Sequence, residues 1–328
     1  MGTVILIVLL AVLFLFVLPA IVLSGVLYTV LLVRTKPEKW DRSCSMPQDP
    51  EYQRMFDLGI EWGTRYADKK RDVSVTSDGL KLAGEYFDFG FDRAVIIIPG
   101  RMESCLYSYF FSEPYRAAGY NILAIDNRSH GNSQGKISSL GYREYRDILT
   151  WSRFLHDQCG VSRVVLHGIC IGASCGLFAA TDRSCPEYVD ALVADGMYVN
   201  FFESFKNHMI EDKRPMFPFL WLVMGYIRVV SGANVVTDGP LWRIGGMKKP
   251  VLFLHSREDR YSLPEKAEEL YAACPAEKEL VWFDHGAHSR LRINDPARYD
   301  RAIGDFLRSR SAPPPDAQLS ASFPTSLR

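Results

Sequence analysis

Between residues 94 and 309, short apolar runs rich in Val, Ile and Leu alternate with helical stretches, and this alternation leaves few folds open. The strand candidates are 94–99, 121–125, 163–167, 191–194, 251–255 and 280–283; the helix candidates fall near 104–117, 140–157, 171–181, 263–273 and 295–309. A run that is apolar at nearly every position is buried on both faces, so the pattern predicts a mostly parallel sheet with helices on both sides. Ahead of it, residues 73–75 and 80–87 flank Ser77–Asp78–Gly79, and the Asp-Gly pair marks a hairpin turn. Residues 51–68 place Tyr52, Met55, Phe56, Ile60, Trp62 and Tyr66 at helical spacing. The stretch 198–245 interrupts the alternation with aromatic, helix-like sequence and reads as an inserted cap.

The sharpest local signal is the run from Arg163 to Ala173, in which a β-branched strand enters Gly168-Ile169-Cys170-Ile171-Gly172 and then an Ala-rich helix. A reactive residue on a strained strand-to-helix turn projects above the sheet, and small residues two before and two after it relieve the crowding. The N-terminal N–H groups of the following helix favour negative charge, which suits a thiolate or an oxyanion. Cys170 is therefore the candidate nucleophile. Gly172-Ala173-Ser174-Cys175-Gly176 also fits G-x-S-x-G, but Ser174 lies a turn into the helix and points away from the elbow tip.

A nucleophile needs a base and a group that orients the base. The apolar strand 251–255 runs into Glu258-Asp259, which places Asp259 where active-site loops gather; Glu258 and Asp195 are the alternatives. Further on, Asp284-His285-Gly286-Ala287-His288 follows a strand, and the Gly-Ala pair gives His288 room to reach the elbow. His285 is then a supporting or surface residue, while His130, His167 and His255 read as structural. The loop Pro99-Gly100-Arg101-Met102 after residues 95–98 offers amides for an oxyanion hole. The N–H of Ile171 is one donor and that of Arg101 or Met102 the other, each worth ~2.7–4 kcal/mol.

In sum these residues resemble the α/β-hydrolase superfamily, in particular bacterial membrane-associated members related to serine aminopeptidases and monoglyceride lipases. The matching positions are Gly79-Leu80-Lys81-Leu82, Ile98-Pro99-Gly100, the run from Gly119 to Leu123, and Asp126-Asn127-Arg128-Ser129-His130-Gly131-Asn132-Ser133. The elbow, the acid strand and Gly286-Ala287-His288 follow in the family's order, so the resemblance covers roughly 70–310. Three positions depart from it. Cys170 replaces the usual serine, as in dienelactone hydrolases; Pro99 replaces the usual histidine; and the loop from Asp259 to Pro264 is one residue longer. The resemblance implies a hydrolase of an ester, thioester or related acyl substrate, with Cys170 as nucleophile, His288 as base and Asp259 fixing its tautomer. The departures keep a second class open, a catalytically inactive binding protein on the same fold.

From residue 2 to 33 the chain carries no charge and is almost wholly Val, Leu, Ile, Phe and Ala. A span needs about 20 such residues, so this one crosses with tilt, and Pro19 is positioned to kink it. A hairpin turning at Ser24 and Gly25 is the other geometry. A cleaved signal peptide would start with basic residues and have a shorter apolar region, neither of which is present. Arg34, Lys36, Lys39 and Arg42 follow the run, and the positive-inside tendency puts them, with the domain, in the cytoplasm. The predicted layout is an anchor over 1–34, a linker and packing helix over 35–70, the hydrolase domain over 71–310 and a disordered tail over 311–328.

Composition narrows the partners. The 38 basic and 38 acidic residues cancel and no basic block stands out, which argues against nucleic acid. Seven cysteines without C-x-x-C spacing support neither a disulfide scaffold nor a zinc site, and no cofactor motif is present. The expected partners are an acyl substrate, small or lipid-derived, and a membrane. The cap aromatics Phe201, Phe202, Phe205, Phe217, Phe219 and Trp221 suit an apolar acyl group, and suit equally a cap packed to its domain.

Overall fold

The computed structural model describes residues 1–36 and 40–310. Lys39 and the tail predicted over 311–328 lie outside them. Eight strands form one sheet: β1 (Lys70–Ser77), β2 (Leu80–Phe87), β3 (Arg93–Ile98), β4 (Asn121–Ile125), β5 (Arg163–Ile169), β6 (Val189–Asp195), β7 (Val251–Ser256) and β8 (Lys278–Phe283). Their order is β1-β2-β4-β3-β5-β6-β7-β8. β1–β2 and β2–β4 are antiparallel, and every other pair is parallel. The hairpin turn holds Asp78 at φ 48° and Gly79 at φ 75°, the left-handed pair that matches the twist of the flanking strands.

Strand pleating divides the core in two. Along β3, Ala94, Ile96 and Ile98 face Trp151 and Leu155 of the helix Glu144–Cys159 and Leu177 of the helix Ile171–Thr181. Val95 and Ile97 face the other way, toward Trp62 of the helix Pro50–Arg65 and Ile303 and Phe306 of the helix Pro296–Ser309. All five β3 residues are fully buried, as a central parallel strand requires. The helix expected near 104–117 is broken into Cys105–Ser108, a 3₁₀ turn Tyr109–Phe111 and Glu113–Ala117. Pro114 accounts for the break, because it lacks an N–H and its ring clashes with the carbonyl four residues back.

Between β6 and β7 the cap comprises the helices Phe201–Glu211, Phe219–Ser231 and Pro240–Arg243. The N-terminal run is one helix, Gly2–Leu32, with no hairpin turn at Ser24 and Gly25. It passes through a π turn at Leu13–Val17 directly before Pro19, the widened geometry that accommodates a missing N–H. Up to Val17 none of its side chains is buried, whereas Ser24, Tyr28 and Leu32 are. The stretch read from sequence as a linker is tied to the domain: Trp40 is buried, its carbonyl accepts from Gly131 N–H at 2.6 Å, and Arg42 pairs with Glu85 and Asp126.

Arg128, in the loop after β4, clamps Asp147 bidentately at 2.6 and 2.7 Å, with both groups buried. Removing one partner of such a pair leaves an uncompensated charge and costs about 3–5 kcal/mol. Arg128→Met is expected to lower the thermal midpoint of the detergent-solubilised protein strongly. The loss in Arg128→Met/Asp147→Leu should be well below the sum of the two single losses.

Candidate active site

At the end of β5 the chain turns sharply. Cys170 sits at φ 53°, ψ −112°, and the helix Ile171–Thr181 starts at the next residue. A non-glycine residue held there stores on the order of 1–3 kcal/mol of strain. The two flanking glycines are dictated by contact. A Cβ on Gly172 would lie 2.1 Å from Ile98 O, and one on Gly168 would lie 2.3 Å from Ala173 N. Backbone thus packs on backbone at the elbow, and the Cys170 amide donates to Asp195 O at 2.8 Å.

Asp259 follows β7 and is buried. Its Oδ1 accepts from the amides of Tyr261 and Ser262, both at 2.8 Å, and its Oδ2 meets His288 Nδ1 at 2.7 Å. The proton of that last bond belongs on Nδ1, which leaves Nε2 as the free face of the ring. Nε2 is buried without a well-formed hydrogen bond, and Cys170 lies close enough to act on the ring's charge. Burial opposes the imidazolium, but the Asp259 carboxylate and then the Cys170 thiolate outweigh it, so His288 titrates well above the usual histidine value. Burial likewise opposes the charged form of Asp259, and the His288 charge overcomes it, holding that carboxyl below its ordinary range. The structure thus brings Cys170, Asp259 and His288 together.

The loop after β3 is fixed by two residues that sequence reading left without a role. Glu103, buried, accepts from Gly100 N–H at 2.7 Å and from the Tyr52 hydroxyl. Tyr52 is placed by its helix, whose N-cap Asp49 accepts from the Tyr52 amide. His130, read as structural, donates from Nδ1 to Arg128 O at 2.9 Å and accepts at Nε2 from Met102 N–H at 3.1 Å. Burial lowers the His130 pKa, which keeps it in the neutral form this acceptor role demands. Met102, at φ 63°, therefore already spends its amide on His130. The signal for His130 was its place in the run from Asp126 to Ser133, but nothing in sequence showed that its ring would reach the β3 loop.

The family model for the alpha/beta hydrolase fold matches residues 93–243. The chain is 27% identical over 217 residues to the uncharacterized protein YqkD of Bacillus subtilis (strain 168), covering 66% of this chain and 71% of that one. It is 24% identical over 160 residues to human protein ABHD12B, 47% of this chain and 41% of the relative. Among solved structures, the Pyrococcus furiosus esterase Pf2001 superposes with a TM-score of 0.65 at 24% identity, over 75% of this chain and 93% of that one. This is an α/β-hydrolase fold.

Within the α/β-hydrolase fold the remaining candidates separate by surroundings. Glu258 is exposed and accepts from Gly286 N–H at 3.1 Å, with His285, also exposed, at 3.4 Å. Ser174 is buried inside its helix. Asp195 is fully buried at the end of β6, and its Oδ2 accepts from the Tyr299 hydroxyl at 2.7 Å. Burial lifts its pKa to about 7. His167 meets the same Tyr299 hydroxyl at 3.1 Å, and His255 donates to Ser262 O at 2.6 Å, bracing the acid loop.

The two shifts fix a pH dependence. His288 gains proton affinity on folding, so its contribution is complete below the ordinary value of about 6.5 and is lost as pH rises through the raised one. Asp259 has the opposite sign: its contribution is present above about pH 3.9 and is lost as pH falls through the lowered value. The difference in thermal midpoint between wild type and Asp259→Asn should therefore be largest from about pH 4 to 6.5 and narrow toward alkaline pH. A gap that fails to narrow between about pH 6.5 and alkaline pH would show that the pair carries no coupled charge.

Proposed function

We propose that the protein hydrolyses an acyl ester or thioester, with Cys170 as nucleophile, His288 as general base and acid, and Asp259 as the group that orients the imidazole. The 2.7 Å bond from His288 Nδ1 to Asp259, with Nε2 left on the Cys170 side, carries this reading. In the first half-reaction the Cys170 sulfur attacks the substrate carbonyl, and the thiol proton resides on His288 Nε2. The tetrahedral oxyanion is held by backbone amides, and collapse transfers the proton to the leaving group. Water then enters, loses a proton to His288 and attacks the thioester carbonyl; collapse breaks the C–S bond, releases the acid and returns the proton from His288 to Cys170.

Of the amides assigned to the oxyanion hole, Ile171 stands at the first position of the elbow helix, where the dipole adds to its effect. For the second donor we favour Arg101 over Met102, whose N–H is committed to His130. A cavity of about 600 Å³ lined by Tyr261, Ala287 and His288 opens on the base side and gives water a route. On the other side Cys170 packs against a cluster holding Ile171, Tyr198, Phe201 and Phe205, a surface suited to an apolar acyl chain. The esterase-like character of Pf2001 supports the same chemistry by likeness of fold.

Cys170→Ala is expected to abolish turnover of acyl thioesters and p-nitrophenyl esters, while Cys170→Ser retains part of it. His288→Ala should cost about 10²–10⁴-fold. It should also slow iodoacetamide labelling of Cys170 at neutral pH by removing the cationic partner. Equal turnover in wild type and Cys170→Ala would reject the proposal and leave a binding protein on a hydrolase fold.

We further propose that Gly2–Leu32 is a retained membrane anchor with the domain on the cytoplasmic side. Its last turns support retention, since Tyr28 and Leu32 pack into the cap cluster with Leu220, Val223 and Ile227, which cleavage would lay open. Full-length protein is expected in the carbonate-washed membrane fraction. A soluble mature form lacking the helix would overturn this reading.

A further inference from the structure

We propose that the cap docks into the lipid leaflet beside the anchor, through the outward face of the helix Phe219–Ser231 and the loop that precedes it. This rests on the anchor reading and adds to it a second membrane contact, made by the hydrolase domain itself.

The helix Phe219–Ser231 has one charged residue, Arg228, in thirteen. Its inward face is already satisfied: Leu220, Val223, Met224 and Ile227 are buried against the anchor helix and the cap. A helix on the rim of a water-facing domain would carry polar residues on its other face. Here Trp221 is 55% exposed, Val229 83% and Val230 41%, and Phe217 in the preceding loop is 82% exposed. An apolar helix this short cannot span a bilayer, and one with an exposed apolar face is not a core helix. The remaining class lies in the interface, with Trp at headgroup level.

The depth follows from the anchor. At about 1.5 Å per residue its 31 residues measure about 46 Å, against a hydrocarbon core of about 30 Å. About twenty residues fill the core; no side chain up to Val17 is buried, whereas Ser24, Tyr28 and Leu32 pack against the cap, so the near edge falls between Val17 and Ser24. The cap meets the anchor at that level. Phe16, Pro19 and Leu23 of the anchor and Phe217, Phe219 and Leu222 line a shared apolar cavity of about 600 Å³, and the Tyr226 hydroxyl donates to Ile21 O at 3.0 Å. Phe217 and Trp221 thus continue the lipid-facing surface of the span. Lys213, exposed just ahead of them beside the Arg214–Asp212 ion pair, and Arg228 behind, stand where headgroup phosphates would be.

The test uses the full chain in phosphatidylcholine liposomes, with lipids brominated either near the headgroup or near the chain end. Trp221 emission is taken as the difference between wild type and Trp221→Phe, and Trp242→Phe serves as a cap control. Docking predicts that this component is quenched at least roughly twofold more by the shallow bromines than by the deep ones, with little quenching by aqueous acrylamide. Free quenching by acrylamide without a bromine effect would place the cap in water and overturn the proposal. Shielding from both quenchers would mean that a second copy of the chain covers the face, and would overturn it equally. Carbonate washing of the same liposomes separates the two readings. Protein that stays bound with Trp221 in water rejects the docking alone, whereas protein that washes off rejects the anchor and the docking together.

Discussion

The site depends on one close approach of backbone to backbone. The helix after β5 starts so near to β3 that Gly172 leaves no room for a Cβ beside the Ile98 carbonyl. That contact sets the turn, the turn forces Cys170 to a positive φ, and the positive φ lifts its side chain out of the sheet. The β3 loop that follows Ile98 is thereby brought alongside the start of the helix. Loop and helix start lie side by side because the two strands are adjacent and parallel in the sheet. Elbow and loop are one constraint seen from two strands.

Around that constraint lie buried polar groups with defined hydrogen-bond partners. Glu103 takes the Gly100 amide and the Tyr52 hydroxyl, and neutral His130 takes the Met102 amide. Loops are ordinarily the mobile part of a fold, but this one is held from below by a carboxyl group and from the side by an imidazole. Holding donors rigid before the reaction is how an oxyanion hole gains its effect, since no reorganisation remains to be done. The helix Pro50–Arg65 contributes Tyr52 to this arrangement and Trp40 packs on the His130 ring, so the stretch preceding the sheet helps to hold the β3 loop.

Most of the sheet could be read directly from the chain, because central parallel strands are apolar at every position and glycines mark the elbow. The six strand candidates fall within β3 to β8, apart from one residue past the end of β3, and β1 and β2 pair across the expected Asp-Gly turn. Cys170, Asp259 and His288 were legible for a related reason: each closes an apolar strand or lies in the loop after one. What sequence could not show was produced by tertiary contact. The expected helix at 104–117 gave way at Pro114, a local effect underweighted against a helical pattern. The Met102 amide was indistinguishable from that of Arg101 until His130, 28 residues on, was seen to bind it. The length of the N-terminal apolar run was plain, but its burial against the cap was not, since an apolar run has the same appearance facing lipid or protein.

The two buried carboxylates differ in their surroundings where spacing leaves the choice between them open. Asp195 and Asp259 both stand at the ends of central strands, and either could have faced His288. Asp259 receives two backbone amides and the imidazole, a donor set that stabilises the charged form. Asp195 receives only the Tyr299 hydroxyl, its other oxygen has no partner, and the neighbouring Asp259 charge adds to the effect of burial. The two pKa values are driven apart, one below the ordinary range and the other up to about 7. Such a division matters for the proposed chemistry, because an imidazole relaying a proton to and from Cys170 needs a partner that stays ionised throughout. Asp195 serves the elbow in another way, through its backbone carbonyl on the Cys170 amide, and that bond requires nothing of its side-chain charge.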